Sequence, residues 1–449
     1  MIPSYALKRV RYARKRLQVT LEEIEHLKES EFPYPQSKAA LWNLEAFFKR
    51  RLAEIKAFDD QKTEDVTIVT QACSISLYSL FMYLPILGFI LRSTNVRNAF
   101  EVYRPLLKLA REVLEPLIPE KNRRTQIILS SEWDYSPFMY SALPDLPNFL
   151  LIGLPAPESG NPLLIPLAGH ELGHSLWQQK NCDAEFIPII ANKIIQCIRD
   201  RRQEYKDIFQ IEEDLESLTA LPTWNKAVPW ASKLAEEVFC DCVGVRLFGN
   251  SFLHAFAYLL APNTGIERAP FYPDLHKRAQ YLIEASNEYG LDPIPNYSEL
   301  FELESEPELT AGDRFLLDII DEVLTRIVNS LIIKAHELVP AQVAAHPTRK
   351  NAVNPEKEAP TPDELKRILD RFKFVVPAER VSCLADLINA AWSAFLEEDF
   401  WRDIPNIGDE ENRDTILKEL ILKNIEILEI DQIRMESQSA QSGEDSRAS

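Results

Sequence analysis

The stretch AGHELGHSLW, Ala168–Trp177, decides how this chain is read. It places His170 and His174 four residues apart, with Glu171 directly after the first. On an α-helix, residues four apart share a face about one turn, roughly 5–6 Å, from each other. Both imidazoles can therefore reach one ion. Zinc takes imidazole nitrogen at about 2.0–2.1 Å and in catalytic sites leaves a position open for water. Glu171 is placed to accept a proton from that water rather than to bind the metal, so each residue type of this HExxH arrangement has a mechanism behind it. The competing reading is a helix with two partly exposed histidines. The chain carries its own control: His336-Glu337-Leu338 opens the same way but meets Pro340 where the second histidine would stand.

A catalytic zinc needs a third ligand. In LAEEVFCDCVG, Glu237 and Asp241 are again four apart on an expected helix. Glu237 would complete a set of two histidines and one glutamate. Asp241 would accept the second N–H of a ligand histidine and fix its tautomer. Taken alone, Glu236, Glu237 and Asp241 would read as a solvated acidic face. Glu236 pairs with Cys240 at the same spacing, so a register shifted by one residue stays open. Cys240 and Cys242 lie about 200° apart on a helix and cannot both face one ion, so they read as small core residues.

Around this centre, 449 residues with 46% hydrophobic content can bury a large core and allow two or three domains. Thirty prolines against twelve glycines suggest helices joined by stiff connectors. A net charge of −19 argues against a general nucleic-acid binder, although the opening ALKRVRYARKRLQ is basic. An acidic surface favours basic or neutral protein substrates. The six cysteines, few and scattered, do not resemble a disulfide framework, and no secretory signal is visible, so a cytoplasmic protein is expected.

Val66–Leu91 resists that reading: it carries no charge for 26 residues, enough to cross a bilayer of about 30 Å. Its polar first half, with Pro85 and Gly88 in the second, favours a buried core helix or helix pair; a membrane span is the alternative.

Along the chain, helical periodicity fills the first 120 or so residues, and Thr20 with Glu23 suggests a capping box. QIILSS and NFLLIGLP are short apolar runs bounded by proline and polar residues, which predicts strands just before the motif. Helix returns over Pro162–Lys180. One long helix is expected over AEFIPIIANKIIQCIRDRRQEYKDIFQI, and a third over WASKLAEEVFCDCVGVRLFG, ended by Gly249. Further amphipathic helices follow from about residue 311; Lys350–Ala359 reads as a linker, and Thr361-Pro362-Asp363-Glu364 starts a helix with a capping box and first-turn proline. The expectation is a mainly α protein with a small sheet (α+β): an N-terminal helical region 1–120, a core 121–290, a C-terminal helical region 291–435 and a disordered polar tail 436–449.

HELGH, a gap of 63 residues from His174 to Glu237, and then EVFCD resemble the gluzincin metallopeptidases of E-x-x-x-D type, above all the prenyl-protein and heat-shock metallopeptidases and their soluble relatives. Those carry E-x-x-A-D on the second helix, where this chain has Cys240 in the alanine position. They also carry a downstream H-P-x-x-x-x-R run; YPDLHKR offers Tyr272, Pro273 and Arg278 at that spacing, with tyrosine in the histidine position and His276 as a substitute. The resemblance covers roughly residues 150–282. It implies a zincin-like core flanked by helical regions, and zinc-dependent hydrolysis of a protein or peptide substrate with Zn2+ on His170, His174 and Glu237. Glu171 would activate the zinc-bound water, and Tyr272 or Arg278 would stabilise the charged oxygen. Such sites bind substrate as a strand added to a sheet edge, for which NFLLIGLP is the candidate. Two alternatives stay open: a non-enzymatic helical interaction or regulatory protein with a structural or vestigial metal site, and a peptidase tethered to a membrane through residues 66–91.

Overall fold

The computed structural model describes residues 4–60, 65–117, 124–132, 138–140, 143, 145–146, 148–210, 221–261, 274–302, 309–348, 361–373, 383–402 and 410–445. By its internal contacts the chain divides into two compact units, Met1–Ala99 with Glu120–Gly160, and Phe100–Pro119 with Asn161–Ser449. These boundaries differ from those expected at residues 120 and 290. The strands belong with the N-terminal helices, and the C-terminal helices with the motif. Mainly α with a small sheet is the architecture.

The first unit holds α1 (Ser4–Lys28), α2 (Gln36–Asp60) and α3 (Val66–Arg92). Val10, Ala13, Leu17, Ile24 and Leu27 recur at helical spacing and are buried, as are Leu41, Leu44, Phe48 and Ile55 of the neighbouring α2. The uncharged run predicted from sequence is one helix, started by Asp65, whose carboxylate accepts from the backbone N–H of Thr67 and Ile68. Its buried row includes Val69, Cys73, Leu80, Tyr83, Leu87 and Ile90, while Ile75, Tyr78, Phe81 and Met82 are exposed. The segment Val66–Asn95 is long and apolar enough to cross a membrane, and 44% of its most apolar window is buried.

The sheet contains β1 (Gln126–Glu132), β2 (Phe138–Tyr140) and β3 (Phe149–Pro155) in the order β1-β3-β2. β3 pairs parallel with β1, from Gln126 opposite Phe149 to Glu132 opposite Pro155, and antiparallel with β2. NFLLIGLP is thus the central strand, not the edge expected to receive substrate. The physical reason is its composition: all seven β3 residues are buried, the mark of a strand covered on both faces. On β1, the Tyr34 hydroxyl accepts from Leu129 N–H at 2.6 Å and donates to Leu129 C=O at 2.7 Å.

The second unit runs through α4 (Ala99–Leu114), a 3-10 segment over Pro162–Leu167, α5 (Ala168–Gln179), α6 (Cys182–Asp200), α7 (Arg202–Phe209), α8 (Leu221–Phe248), α9 (Asn250–Leu260) and α10 (Leu275–Glu288). It continues with α11 (Ala311–Leu338), α12 (Pro362–Asp370), α13 (Leu384–Leu396), α14 (Glu398–Arg402) and α15 (Glu410–Asp445). The single helix expected beyond the motif is broken at Arg201, whose backbone leaves the helical region at φ −107°, ψ 32°. The break lets Tyr205 and Phe209 meet Phe315 of α11, with ring centroids 6.1 and 6.0 Å away. Gly249 ends α8 at φ +63°, a conformation glycine adopts without a side-chain clash. The capping box at Thr361 and Glu364 is present, with Pro362 in the first turn. The polar tail expected to be disordered is drawn into α15 as far as Asp445, since glutamate, glutamine and alanine all favour helix; residues 446–449, like the 350–359 linker, lie outside the described residues.

Candidate metal centre

α5 grows out of a wholly buried segment, Pro162–Leu167, capped by Asn161, whose side chain accepts from Leu163 N–H at 3.1 Å. It packs against α8, and the crossing is close at Gly173. A Cβ there would lie 2.6 Å from the Cα of Cys240, inside any allowed contact. Glycine in HELGH is therefore required by the approach of α8, which brings that helix's carboxylates within reach of the histidines.

His170 and His174 stand one turn apart with ring centroids at 5.0 Å and planes at 84°. Their Nε2 atoms both face Glu237 of α8. His170 Nε2 is 3.3 Å from Oε2, and His174 Nε2 is 3.8 Å from Oε1. Both Nδ1 atoms are engaged on the other side, His170 with Asp241 at 2.9 Å and His174 with Glu236 at 2.7 Å. A carboxylate can only accept, so each Nδ1 carries the proton. With Nδ1 held outward, both Nε2 atoms turn toward one carboxylate, and a bound ion would take the place of the proton there. Two imidazole nitrogens and a carboxylate oxygen are a donor set that suits zinc, and carboxylates behind ligand histidines fix tautomer and ring orientation. The residues therefore fit the ion that the sequence suggested.

Arg278 of α10 closes the outer ring. Its Nε and Nη2 donate to the two Asp241 oxygens at 2.8 and 2.7 Å, and its guanidinium lies over the Phe256 ring at 4.9 Å. Asp241 and Arg278 are both buried, which the bidentate pair compensates. Lys233, one turn before Glu237 on α8, places its ammonium 3.1 Å from Glu236 and 3.2 Å from Glu237. Glu171 is buried, with only 3% exposed.

The electrostatics follow from this packing. Burial by itself disfavours a charged His170, but hydrogen bonds to Asp241 and Glu237 outweigh it and lift the ring to about 10. Burial opposes ionisation of Glu237 too, and the two histidines and Arg278 hold it well below the usual carboxylate range. Asp241 is likewise lowered against burial by Arg278 and His170, and Glu236 by His174 and Lys233. Glu171 moves the opposite way: burial raises its carboxyl, only partly offset by the histidines. That separates one proton-accepting carboxyl from three firmly ionised ones.

The structure thus brings together His170, Glu171, His174, Glu237, Asp241 and Arg278. Tyr272 and Pro273 lie outside the described residues. His276 is turned elsewhere, its Nδ1 on the Ser298 carbonyl at 3.0 Å and its Nε2 on Gln280 at 3.0 Å. Arg278 reaches the centre through Asp241, which its guanidinium holds by the bidentate pair. Cys240 Sγ also comes within 4.8 Å of the imidazole nitrogens. We favour Glu237 as third donor because its two oxygens divide between the two Nε2 atoms, at 3.3 and 3.8 Å; in the ion-free chain burial pushes the Cys240 thiol well up. Cys242 is buried and equally raised. Sequence reasoning missed Lys233 and the partnership of Glu236 with His174. The signal was present in K-L-A-E-E, which sets the lysine three and four residues before two glutamates. Comparison with protein-family models, with curated proteins and with solved structures gives no match.

Proposed function

We propose that this chain is a zinc-dependent peptidase of gluzincin type, with His170, His174 and Glu237 as ligands and Glu171 as general base. One observation carries the reading: both Nε2 atoms converge on one carboxylate while both Nδ1 atoms are engaged by others. Zinc bound there supplies a Lewis acid that polarises a peptide carbonyl and acidifies water. Glu171, its carboxyl raised by burial, accepts the proton of the attacking water and passes it to the departing amine. Asp241 and Glu236 keep the protons on Nδ1 so that the Nε2 lone pairs stay inward, and Arg278 keeps Asp241 in place. Tyr272, assigned by the resemblance, is the proposed donor to the charged oxygen.

The test is metal content together with hydrolysis of a mixed peptide library by the natural chain and by Glu171→Gln. The expected result is about one zinc per chain in both, with turnover reduced at least 100-fold in the variant, as loss of a general base entails. Absence of zinc, or full hydrolysis by the variant, overturns the reading. A second reading, a non-enzymatic helical protein with a vestigial site, is favoured by Lys233, whose ammonium already sits on the Glu237 carboxylate. It predicts that zinc binds only after Lys233→Met.

A further inference from the structure

A second cluster of reactive groups lies away from the His170–His174 pair. His346 follows α11 in a short segment fixed on both sides: Ala345 N–H donates to Arg246 C=O at 2.9 Å, and Thr348 N–H donates to Gly290 C=O at 3.1 Å. Its Nδ1 meets both carboxylate oxygens of Asp386, at 2.9 and 3.0 Å. Asp386 lies in the first turn of α13, three residues after Cys383, the extended residue that precedes the helix. Cys383 Sγ, a His346 ring nitrogen and an Asp386 oxygen all fall within 4.8 Å of one another.

Two chemistries suit such a trio, a metal site or an activated thiol. A carboxylate on Nδ1 serves both, as it does behind His170 and His174, and the partial exposure of Cys383 favours the thiol. A thiol, an imidazole and a carboxylate that orients the ring through Nδ1 are the groups that nucleophile activation uses. Cys383 occupies the cap position of a 13-residue helix; its Sγ makes no capping hydrogen bond, and it lies at the positive end of the helix dipole, which favours a thiolate. The other five cysteines are buried, and Cys383 alone is partly exposed. We propose that Cys383 is the reactive thiol of this chain, a modification site for soft electrophiles, with His346 accepting its proton and Asp386 orienting His346. In the step, the S–H proton passes to the imidazole, the sulfur pair forms a bond to the electrophilic carbon, and the leaving group departs with its electrons. The opposing charges are acidic: Asp386 on α13 itself and Glu364 of α12, whose carboxyl is lowered chiefly by hydrogen bonds from Thr361 and least by His346.

The experiment is alkylation of the full-length chain by iodoacetamide from pH 5.5 to 9.5, with each cysteine followed by peptide mass mapping. Cys383 is expected to react first, with a pH midpoint below the ordinary thiol value of about 8.5, and His346→Gln to slow it about tenfold at pH 7. A midpoint at or above the ordinary value, or an unchanged rate in the variant, overturns the proposal. So does labelling that begins only after a chelator is added, which assigns the trio to a metal instead. The five buried thiols report folding: a variant in which they label has unfolded, and the profile of the natural chain then decides alone.

Discussion

His-Glu-Leu occurs twice in this protein, at residues 170–172 within α5 and at 336–338 in the last turn of α11. In the first, the histidine is held between two carboxylates of a crossing helix and the glutamate is buried. In the second, the helix ends at Leu338, Val339 is extended, and His336 stacks on Tyr289 with centroids 6.0 Å apart. Glu337 is exposed. Proline stands at position 340, where the second histidine would be, and the helix has ended two residues before it. Three identical residues thus have opposite fates. The difference lies in what packs against them: α8 brings ionised carboxylates to α5, whereas the end of α11 meets an aromatic ring. Local sequence offers the imidazoles, and a neighbouring helix surrounds them with carboxylates.

The comparison breaks most sharply if α8 is stripped of its carboxylates. Glu237→Ala should abolish zinc binding, while Asp241→Asn should weaken it about 10- to 100-fold by releasing the His170 ring; titration calorimetry with zinc reads both. Undiminished affinity in either would mean that α5 alone forms the site.

Gly173→Ala attacks the crossing rather than the ligands. Its methyl meets the backbone of Cys240, so a loss of about 1–3 kcal/mol in denaturant unfolding is expected, with zinc affinity reduced in the folded fraction. Stability unchanged by the methyl would show that α5 and α8 do not cross this closely.

A third test uses pH. His170 is raised to about 10 in the folded, ion-free chain, against 6.5 ordinarily, so its contribution to stability is complete below pH 6.5 and is lost as pH rises through 10. A zinc-loaded ring is already neutral and escapes that loss. The melting-temperature gap between zinc-loaded and chelated protein should therefore widen from pH 6.5 to 9.5; a constant gap would mean the imidazole is not held protonated. The smallest effect belongs to the second His-Glu-Leu: His336→Ala should change stability by no more than about 0.5–1 kcal/mol and leave zinc affinity untouched.

The spacing of HELGH put the two histidines on one face, and the spacing of EEVFCD did the same for Glu237 and Asp241, because helical periodicity is a local property. The capping box at Thr361, the stop at Gly249 and the two apolar strands were legible for the same reason. Three features were not. β3 lies in the middle of its sheet, because strand order is set by pairing across long stretches of chain. Arg201 breaks a helix whose periodicity runs on without interruption, because the rings beyond it pack on α11. Arg278 spends its guanidinium on Asp241, a partner 37 residues away in sequence, and not on an open cleft. Residue types and helical faces are written in neighbouring letters. Which carboxylate meets which imidazole nitrogen was decided only when α8 crossed α5 at Gly173, since that distance depends on close packing between segments that share no local geometry.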